Sequence, residues 1–136
     1  AYEAGVLDHI LGTSALTSPT TVYVGLFKST VDSATTLANL EAGTLTDEVA
    51  TAGGTAYARR PVTFGAASVG AGTASNDADV TFATATANWG EVTIISVLDA
   101  STGGVPIVSG ILDTAKTIES GDSFVITVGN LTITLA

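Results

Sequence analysis

The 136-residue sequence has no cysteine, no methionine, 6% aromatic residues and only four basic side chains. Each shortage removes a class of function. Without cysteine there is no disulfide, no thiolate nucleophile and no thiolate metal site. Two lysines and two arginines stand against 13 acids, for a formal net charge of −9. So few cations do not neutralise the several phosphates that non-specific nucleic-acid binding engages, and no nucleic-acid partner is expected. The longest apolar stretch, residues 92–98, contains polar side chains and is far shorter than the ~20 residues that span a bilayer, so no membrane partner is expected either. The acidic N-terminus lacks the basic segment that opens a secretory leader. Charged residues of both signs make up 12% of the chain, about half the ~25% of an ordinary soluble domain.

What is present is threonine, serine, valine and alanine. Thr (23) and Ser (11) supply a quarter of the chain. The length predicts a single domain over residues 1–136, large enough to bury roughly two-thirds of its extended surface. Helical periodicity occurs once, near the N-terminus. There Leu7, Ile10 and Leu11 fall at i, i+3 and i+4, Gly12 is a stop signal, and residues 1–12 form a predicted helical arm. Residues 20–28 form a predicted central strand, with Val22, Val24 and Leu26 on one face and Tyr23 and Phe27 on the other. Residues 29–56 lack a strong β-run and are expected to form a long loop or insertion, with a short helix over 37–42 and scattered apolar anchors at Leu37, Leu40 and Leu45.

From residue 55 the β-pattern is dense. Residues 57–65 contain Pro61, which places that strand at an edge or a bulge. Further strands are expected over 79–84, 91–99, 105–112 and 116–118. Residues 71–77 are small and polar. Residues 123–128 and 131–135 alternate and are separated by Gly129-Asn130, a hairpin signal. About eight short strands with turns every 8–12 residues predict an all-β antiparallel sandwich, jelly-roll-like, with the short N-terminal helix attached.

Residues with chemical potential are few. His9 lies beside Asp8 with no identifiable nucleophile, and reads as a surface or cap histidine. Asp77 and Asp79 are two apart, with Asn76 alongside, but lack the ligand number of a calcium site and read as a solvated turn. Arg59 and Arg60 hold half the basic charge and point to opposite faces of a strand, so one can pair with an acid and the other can meet a partner. Trp89 and Tyr57 are candidates for glycan stacking, with core packing as the alternative. No P-loop spacing accompanies the glycine pairs. No catalytic residues, cofactor or metal are expected.

Several segments in order resemble a known family. These are Val-Tyr-Val-Gly-Leu-Phe (22–27), Gly-Gly-Thr-Ala-Tyr-Ala-Arg-Arg-Pro-Val-Thr-Phe-Gly-Ala-Ala (53–67) and Ala-Ser-Asn-Asp-Ala-Asp-Val-Thr-Phe-Ala-Thr-Ala-Thr-Ala-Asn-Trp-Gly-Glu-Val-Thr (74–93). They continue with Leu-Asp-Ala-Ser-Thr-Gly-Gly (98–104), Lys-Thr-Ile-Glu-Ser-Gly-Asp-Ser-Phe (116–124) and Gly-Asn-Leu-Thr-Ile-Thr-Leu (129–135). The combination resembles small virion structural proteins of tailed bacteriophages, often labelled phage tail fibre proteins. The resemblance implies a structural role in the virion and carries over no catalytic residue.

The leading expectation is a capsid decoration, or cement, protein. It would lie on the outer capsid surface as a homotrimer and bridge neighbouring copies of the major capsid protein. The absence of a fibrous repeat and the scarcity of charge, which is depleted in interface cores, favour it. The candidate contact residues are Leu7, Ile10, Leu11, Leu37, Leu40, Leu45, Arg59 and Arg60. The alternatives are a tail fibre, tail-tip or adaptor component, and a β-sandwich module that binds host-surface glycan through Trp89 and Tyr57.

Overall fold

In the computed structural model, which describes residues 2–135, two helices accompany eight strands. In chain order they are α1 (Glu3–Ile10), β1 (Val22–Phe27), α2 (Ser33–Glu41), β2 (Arg60–Val62), β3 (Thr73–Ser75), β4 (Val80–Thr81), β5 (Gly90–Leu98), β6 (Pro106–Ile118), β7 (Val125–Ile126) and β8 (Thr132–Thr134). The protein is mostly antiparallel β. Its main sheet runs β2-β1-β5-β6, and two shorter pairs, β3-β8 and β4-β7, complete the β-structure.

The main sheet carries apolar side chains on both faces, as the double apolar pattern of residues 22–27 requires of a central strand. Val24 and Leu26 join the larger core, while Phe27 turns to the opposite face with Leu40, Ile94 and Leu98. β5 keeps both faces apolar by means of a bulge. Val92 pairs with Lys116 and Ile94 with Ile111, so residues 112–115 of β6 lie opposite Thr93 alone. The irregularity inverts the alternation and returns Val92 to the face that holds Ile95 and Val97. It also fuses the two expected strands, 105–112 and 116–118, into the single β6. Pro61 sits on the edge strand β2, paired with Tyr23, where a ring without an N–H breaks no ladder.

The expected hairpin across Gly129-Asn130 does not form. β7 pairs with β4 and β8 with β3, so residues 73–81 and 125–134 make one antiparallel ribbon with an interruption. Asn76 causes the interruption. It is almost wholly buried. Its Nδ2 donates to the carbonyls of Ala78 and Thr127 at 2.9 and 3.1 Å, and its Oδ1 accepts the Leu131 N–H at 2.9 Å. One buried amide thus satisfies backbone groups that a ladder would otherwise occupy. The strand β3, which was not expected, exists because β8 supplies its partner, and the Ser75 and Thr132 hydroxyls meet across it at 2.7 Å.

Residues 29–56 are not simply a loop. Asp32 caps α2 by accepting the Thr35 N–H at 2.7 Å, and the helix covers the second face of the main sheet. Leu40 is 1% exposed, and Leu37 and Leu45 pack half-buried beside it. Leu40 is therefore a core residue and not the contact residue expected of it.

Candidate functional site

Among the described residues one ion pair, Arg59–Glu48, is formed, and it holds the loops to the main sheet. Arg59 Nε donates to Glu48 Oε1 at 2.7 Å and its second nitrogen to Oε2 at 2.7 Å. The remaining nitrogen donates to the carbonyls of Ala100 and Gly103 at 2.8 and 2.7 Å. Tyr57 completes the cluster, donating to Glu48 at 2.9 Å and accepting the Leu26 N–H at 2.9 Å. Gly25 makes the space, because a Cβ there would lie 3.4 Å from the Glu48 carboxylate and 3.0 Å from Leu98. Burial alone would pull the Arg59 guanidinium down, but the bonds to Glu48 and its charge hold it above its ordinary value. Burial, reinforced by the Glu48 charge, pushes the Tyr57 phenol well up. Arg59 is thus an internal clamp and is not available to a partner. Arg60, on the opposite side of its strand, is half-buried.

The candidate stacking platform is also internal. Trp89 is 2% exposed and Tyr57 4%. Their rings meet edge to face at 5.4 Å, Phe82 adjoins both, and the Trp89 indole N–H donates to the Thr55 carbonyl at 2.7 Å. These are the preferred geometries of a buried aromatic cluster, and neither face is open to a sugar.

Asp77 accepts the Thr63 hydroxyl, and Asp79 accepts the Val128 N–H at 2.8 Å. His9 Nδ1 accepts the Leu16 N–H at 3.3 Å, and Asp8 accepts the Thr13 hydroxyl at 2.9 Å. Each holds a turn or helix end. Among the described residues no group of three or more His, Cys, Asp or Glu is placed to hold a metal ion. No described helix is long and apolar enough to cross a membrane.

Asp47 went unnoticed in the sequence. It is 8% exposed and accepts the hydroxyls of Thr36 and Thr30 at 2.7 and 2.8 Å, which ties the end of the 29–56 segment to α2. The Thr36 and Thr30 bonds hold its carboxyl below the ordinary range. Its contribution is therefore complete above the unfolded carboxyl value of ~3.9 and is lost as the pH falls through the lower folded value. Acid titration of stability should show a decline below about pH 4 that is shallower in Asp47→Asn, a variant already weaker at neutral pH. Equal acid slopes for the two proteins would contradict this.

Two open surfaces carry apolar side chains. Leu7, Ile10 and Leu11 are 56%, 67% and 67% exposed, and α1 buries no residue fully. The helix is tied down at its start, where the Tyr2 hydroxyl donates to Asp99 at 3.0 Å. The second surface is a groove of about 700 Å³ between β6 and the β7–β8 segment.

The protein is thus β-rich, its buried polar groups lock its own turns, and part of its open surface is apolar. The family model described as Podophage GP4 fiber I protein gp80 matches residues 1–134. The chain belongs to this family and has a structural role in the phage virion. A search of the curated proteins gave no match.

Proposed function

We propose that the chain is a contact unit of a fibre-type appendage on a podophage virion, held by protein–protein interfaces and performing no catalysis. The observation that carries this reading is the match to the fiber I family over residues 1–134. The open surfaces support it, because contiguous exposed apolar groups on a soluble chain mark interaction sites. The partners under this reading are neighbouring virion proteins and further copies of the chain, with a homotrimer as the expected assembly. No nucleic acid, membrane lipid, cofactor or metal enters. Host-surface glycan loses its candidate platform, since Trp89 and Tyr57 are internal.

A second reading is the capsid decoration protein that bridges major capsid proteins on the outer head surface. One observation favours it: the strands fold back on each other in a short antiparallel arrangement, with no repeated extended segment of the kind long fibres use. Electron microscopy of virions labelled with antibody against the chain separates the two. Label confined to tail appendages is expected. Label spread over the head would replace the fibre reading with the decoration reading.

A further inference from the structure

We infer that the chain assembles head to tail, with the apolar face of α1 from one copy seated in the groove between β6 and β7–β8 of the next. The inference goes beyond the fibre reading and applies equally to a decoration protein.

The helix supplies the first half of the contact. An isolated helix of eight residues is marginal, and α1 turns Leu7, Ile10 and Leu11 to solvent instead of to its own core. The groove supplies the second half. β6 is an edge strand, 13 residues long. Val108 and Leu112 line its inner side, facing Phe124, Ile126, Leu131 and Ile133. At Gly110, midway along, an added Cβ would meet nothing within 4 Å. Val108 and Lys116 pair with Val97 and Val92 of β5, so the stretch between them spans about 17 Å at ~3.4 Å per β5 residue, and a helix of the length of α1 is about 12 Å long. The helix therefore fits within the groove.

Charge selects the same occupant. The groove lining contains Asp113 and Lys116 as its only charged residues, so it is close to neutral in a chain of net charge −9. A second acidic copy meets no net negative charge at this place. Lys116 is exposed, and among the described residues its side chain makes no ion pair or hydrogen bond. Asp8, next to Leu7 on the helix, is the acid that the docked helix would offer to it. Helix face and groove are different patches on one chain, so the contact is heterologous and closes into a ring when its rotation permits.

Sedimentation velocity on the full chain tests this, using a helix variant (Ile10→Asp) and a groove variant (Gly110→Trp). Ile10 is exposed and Gly110 has open space and an ordinary backbone, so both variants should keep the wild-type circular dichroism. The wild type is expected to form a discrete oligomer, and each variant alone is expected to sediment as a monomer. A mixture of the two should yield a heterodimer, because one intact helix and one intact groove remain. Should Gly110→Trp fail to fold, Lys116→Glu is the groove variant, expected to weaken assembly by roughly tenfold, with Asp8→Lys restoring it. A monomeric wild type, variants that assemble like the wild type, or a mixture that stays monomeric would each overturn the inference. None of these results depends on where the chain sits on the virion, so failure here leaves the fibre reading standing.

Discussion

Arg59→Leu should destabilise the protein by about 3 kcal/mol, the lower end of the range for breaking a buried ion pair from one side. The lower end applies because the Glu48 side chain keeps 18% of its exposure while that of Arg59 keeps 3%. Without the guanidinium, Glu48 retains only the Tyr57 hydroxyl as a donor from this cluster. The Ala100 and Gly103 carbonyls lose theirs as well. Three chain segments part together: the end of the 29–56 region, the approach to β2 and the β5–β6 turn. Against a typical total of ~5–15 kcal/mol, this is a large fraction. Urea unfolding measures it. The double variant Arg59→Leu/Glu48→Leu should recover part of the loss, because no charge is then left uncompensated. A single-variant loss below about 1 kcal/mol, the range of an exposed pair, would show that the clamp contributes little.

Trp89→Ala should have an effect of about 3–5 kcal/mol, the range for deleting a large buried aromatic. The indole is packed against Tyr57 and Phe82, and its removal also strands the Thr55 carbonyl that accepts its N–H. Trp89→Phe should lose less, since most of the volume stays. Thermal or urea denaturation reads the difference. A variant with wild-type stability and a specific loss of glycan binding would reverse the assignment of Trp89 to the core.

The strongest β-signals in the sequence correspond to the main sheet. Residues 22–27 and 91–98 are long, β-branched and apolar on both faces, and burial on both sides of one sheet leaves such a pattern whatever the partners. Pro61 points to an edge or a bulge because its ring lacks the N–H of a central ladder, and β2 is an edge strand. The N-terminal helix is legible from Leu7, Ile10 and Leu11, but periodicity says only that they share a face. Their exposure depends on tertiary contacts.

The misreadings have a common cause. Gly129-Asn130 carries the local chemistry of a hairpin, yet strand pairing is decided by what lies across space. Asn76, more than 50 residues earlier in sequence, claims the turn through its amide. Residues 73–75 are too small and polar to announce a strand, and exist as one because β8 lies beside them. The β6 bulge hides in the same way, since Thr93 opposite 112–115 leaves no mark on either segment alone. At the candidate site Arg59 meets an acid, and which acid depends on the space at Gly25. The negative charge also finds its place. Asp32, Asp79, Asp99 and Asp122 each accept a backbone N–H at a cap or turn, so a low-charge chain spends its carboxylates on local geometry.

The claim that this chain serves a fibre-type appendage is tested most directly by counting its copies in purified virions against the major capsid protein, by quantitative mass spectrometry. The account predicts a small, fixed complement, a handful of assemblies per particle. Hundreds of copies, in stoichiometric proportion to the capsid lattice, would contradict it and assign the chain to the head surface.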